Sequence, residues 1–177
     1  MTERDLPILP STKVAALLDR YPELEDVLIG LAPPFKKLRN PLLRKGVAKV
    51  ASLRHAAAVG RMPVSKLVNT LRAAVGQEAM APEEISDTIP YFSSQPEWFD
   101  AKRIVASIEE RESDPNKMPV ATLLQRAARL QPGEIVALIT TFLPAPGIDI
   151  MRNKGYRVWS VQEGAELVRT YVSKPRY

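Results

Sequence analysis

Proline occurs sixteen times in the 177 residues of this chain and limits the length of any helix that it can form. Inside a helix, proline removes a backbone hydrogen bond and clashes with the preceding turn, whereas the first helical position tolerates it. Most prolines here stand where a loop, or an apolar pattern of helical spacing, begins. The sequence therefore predicts short elements that are joined by tight turns.

The first 76 residues predict helices alone, because apolar side chains recur there every three or four positions. The predicted helices cover about residues 12–20, 22–30, 40–59 and 63–76. Ser11 is the expected N-cap of the first helix, and Asn40, followed by Pro41, is the expected N-cap of the third. Several short helices with tight connections are typical of a small all-α helical bundle.

Residues 98–177 alternate between strand and helix patterns. The predicted strands cover residues 104–108, 134–142, 156–161 and 166–173, and the predicted helices begin near residues 117 and 146. The second strand is expected to be buried on both faces, and residues 162–165 predict a hairpin turn. The order βαβαββ predicts a two-layer sandwich, with the helices on one face of a four-stranded sheet.

The predicted fold class is therefore α+β with two domains. At 177 residues the chain is long enough for one domain or for two small ones. Residues 77–97 contain three prolines among polar residues, which is typical of a linker. We expect a basic helical bundle over residues 1–76 and an α/β domain over residues 98–177.

Charge is distributed very unevenly along the chain. Ten Lys and Arg residues lie between Val27 and Gln77, a segment without Asp or Glu that we call the acid-free window. Residues 1–76 hold 13 basic and 6 acidic residues, a net charge of +7, whereas residues 77–177 hold 12 and 14, a net charge of −2. A field of one sign attracts anionic partners. We expect an acidic protein or a small anionic ligand. Nucleic acid is the alternative, although no helix-turn-helix or aromatic stacking pattern accompanies the charge.

Cysteine is absent and histidine occurs once, at His55. This composition excludes disulfides, thiolate nucleophiles and Cys/His zinc sites, so we expect no cofactor and no metal. An enzyme would depend on carboxylates such as Glu109, Glu110 or Asp149, and a non-catalytic binding or regulatory protein is the favoured hypothesis. No apolar run reaches 18 residues and no secretory signal is visible, from which we expect no membrane span and a cytoplasmic location.

The acid-free window contains the first set of candidate binding residues, which are Arg39, Arg44, Lys45, Lys49, Arg54 and His55. On one continuous helix over residues 40–59, a single polar sector would hold Arg44, Lys45, Lys49, Ser52 and His55. Such a face is either solvated or a site for an anion. Arg54 falls in the apolar sector instead. It either pairs with Asp19, Glu23 or a helix-end carbonyl, or it anchors a bound carboxylate or phosphate.

A second set of candidate binding residues lies in the predicted α/β domain and consists of Arg111, Asn116, Pro119, Thr140, Pro144 and Pro146. Two predicted helices begin here, one near residues 116–119 and the other near Pro146. Helix N-termini offer free N–H groups to anions, so two neighbouring helix starts would form a small pocket. A structural loop made stiff by proline is the alternative.

Three segments, Leu17–Leu24, Phe35–Arg44 and Ala51–Ala57, resemble an uncharacterised bacterial helical domain. That domain is related to the disulfide domain associated with hybrid-cluster proteins, and the resemblance covers about residues 6–76. In the redox branch of the family a cysteine pair follows the second helix, where this chain has Leu31–Pro34. Because no cysteine is present there, the resemblance implies the fold without a redox role.

Two motifs in the second half, Ile108-Glu109-Glu110-Arg111 and Asn116-Lys117-Met118-Pro119, stand ahead of Leu130–Glu134. They are similar to the strand end and the Cys-Pro-x-Pro motif of the TusA/SirA-like sulfur carriers, in an uncharacterised branch. The resemblance implies the two-layer fold of that superfamily. Its carrier cysteine maps to Asn116, and an amide cannot hold a persulfide. Sulfur transfer by the family's mechanism is therefore excluded.

Overall fold

The computed structural model describes residues 5–87, 91–110 and 119–176 of the chain. These residues form eight α-helices and a four-stranded mixed sheet that does not close, so the α+β class is confirmed. The chain divides into two compact units, Met1–Ile89 and Pro90–Tyr177. Within the described ranges, no helix combines the length and the apolar character that crossing a lipid bilayer requires.

The regular structure of the first unit is helical. Its α-helices are α1 (Val14–Arg20), α2 (Leu24–Leu31), α3 (Pro41–Lys45), α4 (Val47–Val50), α5 (Leu53–Gly60) and α6 (Val64–Ala74), and 3-10 helices span Pro33–Arg39 and Pro82–Glu84. The predicted helices over residues 12–20, 22–30 and 63–76 are present, with ends shifted by one or two residues or unchanged. Their apolar faces meet in one core, in which Leu17 and Leu67 are fully buried.

The predicted continuous helix over residues 40–59 is wrong, because the chain leaves helical geometry twice within it. Gly46, with φ −98° and ψ −83°, separates α3 from α4. Ala51 and Ser52 are extended, with ψ 131° and 170°, and separate α4 from α5. Three short helices therefore replace one long helix.

A short antiparallel bridge between Lys13 and Ser52 explains the second break. Beside the bridge, the Val14 N–H donates to the Ala51 carbonyl at 2.9 Å. This pairing with a distant segment satisfies backbone groups that a continuous helix would otherwise use. It also keeps the chain before α1 extended, so Lys13 is the N-cap of α1 and the predicted N-cap, Ser11, is wrong.

The second unit contains the sheet. Its elements are β1 (Ile104–Glu109), α7 (Pro119–Ala128), β2 (Ile135–Thr140), α8 (Ala145–Asn153), β3 (Arg157–Gly164) and β4 (Leu167–Ser173), and a 3-10 helix over Ala101–Arg103 precedes β1. The strands lie in the order β1-β2-β4-β3. β1 runs parallel to β2, and the other two pairs are antiparallel. The edges of the sheet are therefore β1 and β3.

The turn between β3 and β4 is shorter than predicted. β3 extends to Gly164, which pairs with Leu167 across the hairpin. The turn itself consists of Ala165 and Glu166, so the predicted turn over residues 162–165 is wrong in its bounds.

Separate clusters cover the two faces of β2, as predicted from its apolar run. On the helix side the buried cluster consists of Ile108, Leu123, Ala127, Leu130, Val136, Leu138, Met151 and Val172. On the opposite side it consists of Ile135, Ala137, Trp159 and Tyr171, with Trp98 and Phe99 packed against it. The Phe99 ring centroid lies 4.8 Å from that of Trp159 and 4.6 Å from that of Tyr171, within the range of favourable aromatic pairs. α7 and α8 therefore cover one face, and aromatic rings cover the other.

The residues of the predicted linker, 77–97, divide between the two units. Ile85 is buried in the core of the first unit. Tyr91 is buried in the second unit, where its hydroxyl donates to Asp149 Oδ2 at 2.8 Å. Both ends of this segment therefore pack against structured parts of the chain.

Candidate functional site

The candidate residues of the acid-free window do not share one helix face. Arg39 ends a 3-10 helix, and Arg44 and Lys45 end α3. Lys49 lies in α4 and His55 lies in α5. Because three short helices, separated at Gly46 and at Ala51–Ser52, replace the predicted helix, the predicted common polar sector is wrong.

Acidic residues of α2 neutralise part of the acid-free window. Arg44 Nη1 lies 2.6 Å from Glu25 Oε2, and both side chains are partly buried. Arg39 Nη2 lies 3.8 Å from Asp26 Oδ1, where both side chains are largely exposed. Solvent screens the exposed pair more strongly, so Glu25 neutralises Arg44 more completely than Asp26 neutralises Arg39. The window therefore attracts anions less strongly than its sequence predicts.

His55 belongs to the start of α5. Its Nδ1 accepts a hydrogen bond from the Ser52 N–H at 3.1 Å, and its own N–H donates to Ser52 Oγ at 3.4 Å. Together the two bonds form a capping box, which satisfies two backbone donors at the helix start. A structural role therefore accounts for the position of the only histidine.

The second candidate set is only partly visible. Arg111 and Asn116 lie outside the described residues. Pro119 is the first residue of α7. Pro144 is the N-cap of α8, and Pro146 lies in its first turn. Of the two helix starts that were expected to form a pocket, the structure therefore describes Pro119 and the residues around Pro144 and Pro146, but neither Arg111 nor Asn116.

The first turns of α7 and α8 pack closely against each other. A Cβ atom at Gly147 of α8 would lie 2.8 Å from Cγ2 of Val120 in α7, so only glycine allows this approach. Thr140 is buried beside the following loop, where its Oγ1 donates to the Phe142 carbonyl at 2.6 Å. Close packing and an internally satisfied hydroxyl favour the structural alternative for this loop.

A cavity of about 360 Å³ opens at the C-terminal ends of β1 and β2. Its lining consists of Glu109, Glu110, Ile139, Thr140, Thr141, Glu166, Leu167 and Arg169. The sequence contained a signal for it, because Glu109-Glu110 and Thr140-Thr141 stand at the ends of two apolar strands. Parallel strands end at the same edge of a sheet, but the sequence did not show that β1 and β2 are parallel.

Two charged groups of this cavity are engaged within the protein. Glu110 Oε2 accepts hydrogen bonds from the N–H and the hydroxyl of Thr141, both at 2.8 Å. Arg169 Nε lies 3.0 Å from Glu163 Oε2, an ion pair without hydrogen-bond geometry. Among the described residues, no group of three or more His, Asp or Glu side chains could hold a metal ion.

Arg54 contacts a loop carbonyl. Its Nη1 donates to the Ser86 carbonyl oxygen at 3.1 Å, and its side chain is half-buried. The predicted partners Asp19 and Glu23 are therefore wrong, because the acceptor of this hydrogen bond is a loop carbonyl.

Asp87 fixes the loop that Arg54 contacts. Its Oδ1 accepts from the Ser65 N–H and its Oδ2 from the Ser65 hydroxyl, both at 2.7 Å. These two hydrogen bonds, with a smaller effect from the positive charge of Arg54, lower the pKa of Asp87 below its ordinary value. The carboxylate thereby caps the start of α6.

An open groove of about 510 Å³ lies on the first unit beside Arg54. Its lining consists of Leu9, Pro10, Ser11, Lys13, Ser52, Arg54 and Met80, and we call it the basic groove. Its two charged side chains are both cationic, and no carboxylate lines it. Lys13 Nζ donates to the Val50 carbonyl at 2.8 Å, which holds the ammonium group at the groove.

Apolar and cationic side chains continue the surface around the basic groove. Leu9 is 37% exposed and Val50 is 45% exposed. Lys49 precedes Val50 and, like Lys45, forms no ion pair with any described residue. The groove therefore combines positive charge with apolar area.

Residues 8–68 match the family model described as Domain of unknown function (DUF1858). The first unit contains a DUF1858 domain. No curated protein matches the chain, and no solved structure matches it. None of these comparisons supports the resemblance of the second unit to the TusA/SirA-like sulfur carriers, which stays a prediction.

The DUF1858 domain contains most of the basic groove. The lining residues from Leu9 to Arg54 lie inside the matched segment, and Met80 lies beyond it. Met80 and Ile85 pack against the same core as the helices of the domain. The segment that follows the DUF1858 domain therefore completes both its core and one wall of the groove.

Proposed function

We propose that this chain is a non-catalytic binding or regulatory protein whose DUF1858 domain receives an acidic segment of a partner protein in the basic groove. The observation that carries this proposal is the composition of the groove lining, which includes Lys13 and Arg54 and no acidic residue. A small anionic ligand that binds in the same groove is the alternative occupant. Opposite charge steers such partners to the surface and sets their orientation.

The apolar residues around the groove favour a protein segment over an inorganic anion. Leu9 and Val50 each leave more than a third of their surface exposed, and an anion alone would not cover them. A segment that alternates acidic and apolar side chains would match both features. Each exposed ion pair contributes only about 0.2–1 kcal/mol, so we expect weak binding that decreases as salt increases.

A titration with a fluorescent peptide of alternating Glu and Leu tests the proposal. The test variant combines Lys13→Gln with Lys49→Glu. Lys13→Gln removes a positive charge and keeps a donor for the Val50 carbonyl, and Lys49→Glu reverses the charge of the residue before Val50. We expect the double variant to bind at least ten times more weakly than the wild type. The matched control is Lys102→Gln with Lys154→Glu, which makes the same change in net charge at exposed positions of the second unit. Equal weakening by both double variants would show that only net charge matters.

Nucleic acid remains the second candidate, supported by Lys45 and Lys49, which form no ion pair with described residues. Labelled DNA or RNA titrated from about 50 to about 300 mM salt distinguishes it, because counterion release makes such binding fall steeply with salt. Binding at low salt that Lys45→Glu with Lys49→Glu abolishes would support this candidate. Absence of binding at the lowest salt would remove it.

We infer that the two compact units are separate domains, the second a βαβαββ sandwich. The inference is supported by two cores, one built from residues between Ile8 and Ile85 and another from residues between Trp98 and Val172. Limited proteolysis of the full chain should therefore leave two resistant fragments, one from each unit. A first cut inside either core would contradict it.

A further inference from the structure

The bridge between Lys13 and Ser52 brings two side chains of the basic groove together. The bridge is antiparallel, and a backbone hydrogen bond flanks it on each side, from Val14 to Ala51 at 2.9 Å and from Leu53 to Thr12 at 3.0 Å. Lys13 and Ser52 are therefore a non-hydrogen-bonded pair, the arrangement in which opposite side chains approach most closely. Both side chains line the groove.

The four polar side chains of the groove lining can all donate hydrogen bonds. They are Ser11, Lys13, Ser52 and Arg54. Ser11 stands two positions before Lys13, and Arg54 stands two positions after Ser52, so the antiparallel pairing brings both toward the same side. The lining includes two cations and no carboxylate. Such a surface suits an anion with several acceptor oxygens.

Three of these side chains keep donors that the protein does not use. Ser52 is 8% exposed, and its hydroxyl accepts from the His55 N–H but donates to no group in the described part of the chain. Arg54 gives one of its five N–H donors to the Ser86 carbonyl. Lys13 gives one of three ammonium donors to a backbone carbonyl. The remaining donors are available to a bound ligand.

The backbone N–H groups at the start of α5 do not contribute to this site. The N–H groups of Leu53 and Arg54 donate to the carbonyls of Thr12 and Pro10, both at 3.0 Å. The capping box uses the other two N–H groups of the helix start. Recognition of an anion in the groove therefore depends on side chains.

We propose that the basic groove binds a phosphate monoester on a serine or threonine side chain of the partner protein. This inference rests on the proposed function, because it names the acidic group that the DUF1858 domain receives. A phosphate monoester carries a charge of about −1.5 to −2 at neutral pH and three strong acceptor oxygens. These properties match the two cations and the spare hydroxyl donors of the lining. A carboxylate has one charge and two oxygens, so it would leave part of the lining unmatched.

The apolar part of the lining favours a phosphorylated protein segment over free phosphate. Leu9, Pro10 and Met80 line the same groove as the donors. Free phosphate would leave these side chains in contact with water, whereas apolar residues on either side of a phosphorylated side chain would cover them. Burial of apolar surface then adds to the charge-assisted hydrogen bonds.

Fluorescence titration of the full chain with three peptides tests the proposal. The peptides share one sequence of leucines around a central phosphoserine, glutamate or serine. We expect the phosphoserine peptide to bind roughly ten times more tightly than the glutamate peptide, and the serine peptide to bind most weakly. Inorganic phosphate should displace the phosphoserine peptide only at concentrations far above the peptide's dissociation constant.

Variants of the full chain place the phosphate in the groove. Arg54→Lys keeps the charge but removes the planar fork that binds two phosphate oxygens, so it should reduce the preference for phosphoserine over glutamate roughly fivefold. Lys13→Gln should weaken the phosphoserine peptide roughly tenfold. Lys102→Gln makes the same change in charge at an exposed position of the second unit and should have almost no effect. Circular dichroism establishes that each variant is folded.

Ser11→Ala provides a route that does not depend on the packing of Arg54. Ser11 is exposed and makes no cap hydrogen bond, so its loss removes one groove donor without removing a contact of the fold. It should weaken the phosphoserine peptide more than the glutamate peptide. An equal effect on the two peptides would contradict a role for Ser11 in phosphate binding.

The possible results separate this proposal from the proposed function. Equal binding of the phosphoserine and glutamate peptides would overturn the phosphate assignment and leave the proposed function intact. Binding of neither peptide would contradict both. Inorganic phosphate that competes as strongly as the phosphoserine peptide would exclude a protein segment as the occupant. Equal weakening by Lys13→Gln and Lys102→Gln would exclude the basic groove as the site.

Discussion

Arg44 Nη1 lies 2.6 Å from Glu25 Oε2, although nineteen positions separate the two residues in the chain. The pair joins α3 to α2 and brings an acid to a segment that has none in its own sequence. Both side chains are partly buried, whereas those of the Arg20–Asp5 and Arg39–Asp26 pairs are more exposed, so we expect the Arg44–Glu25 pair to make the larger contribution to stability.

A double-mutant cycle with Glu25→Ala and Arg44→Ala should give a coupling free energy of about 0.5–1 kcal/mol, measured by urea unfolding. The coupling should fall as salt increases, because the pair is partly exposed. The same cycle on Asp26 and Arg39, which lie 3.8 Å apart and are largely exposed, is the matched control and should give almost no coupling. Equal couplings would contradict the difference in burial.

Ser52→Ala should destabilise the first unit by about 1 kcal/mol, because it removes the hydroxyl acceptor of the capping box at the start of α5. Thermal or urea unfolding measures the loss. Ser11→Ala is the control, because Ser11 is exposed and makes no cap hydrogen bond to α1. We expect that control to stay within about 0.5 kcal/mol of the wild type. A larger loss from Ser11→Ala would support Ser11 as the N-cap of α1, as predicted from the sequence.

Asp87 should make stability depend on pH in the acid range. Its pKa in the folded protein is lowered from an ordinary value of 3.8, first by the Ser65 N–H and then by the Ser65 hydroxyl. The stabilisation is therefore complete above that ordinary value and is lost as pH falls through the lowered pKa. Urea midpoints of the wild type and Asp87→Asn should differ at about pH 6 and converge at about pH 2. Ser65→Ala should shift the wild-type profile toward that of Asp87→Asn, and parallel profiles would contradict the assignment.

Gly147→Ala should destabilise the second unit by about 1–3 kcal/mol, because the added methyl group meets Val120 at 2.8 Å. Gly30→Ala is the matched control, since a Cβ there has no neighbour within 4 Å and α2 would gain helix propensity of about 0.5–1 kcal/mol. Val120→Ala should relieve the clash, so the combined loss in Gly147→Ala with Val120→Ala should be smaller than the sum of the single losses. Additive losses would exclude a direct contact.

Much of the fold could be predicted because local pattern determines it. The apolar run of β2 predicted burial on both faces, and the apolar spacing before Gly76 predicted the end of α6. In the structure α6 ends at Ala74, and Gly76 has a φ of +76°. Each of these features depends on residues that are near one another in the chain. Pattern is informative in such segments because neighbouring residues share one helix or strand face.

Periodicity did not predict the break after α4. The apolar spacing continues across Ser52, and helical spacing alone favours a helix through that point. A bridge to Lys13, which lies 39 positions earlier, decides otherwise. Ser52 was a local signal for this break, because serine is a common N-cap residue. The apolar spacing on both sides of Ser52 favoured a continuous helix instead.

Local sequence thus established the element types, the excess of positive charge before residue 77 and the absence of thiol chemistry. The tertiary structure decided which of those charges remain available. Glu25 and Asp26 lie outside the acid-free window in sequence but beside Arg44 and Arg39 in space, whereas Lys13 and Arg54 line a groove whose lining residues include no acid. Coulomb energy depends on distance through space and on local screening, and neither quantity can be read from position along the chain.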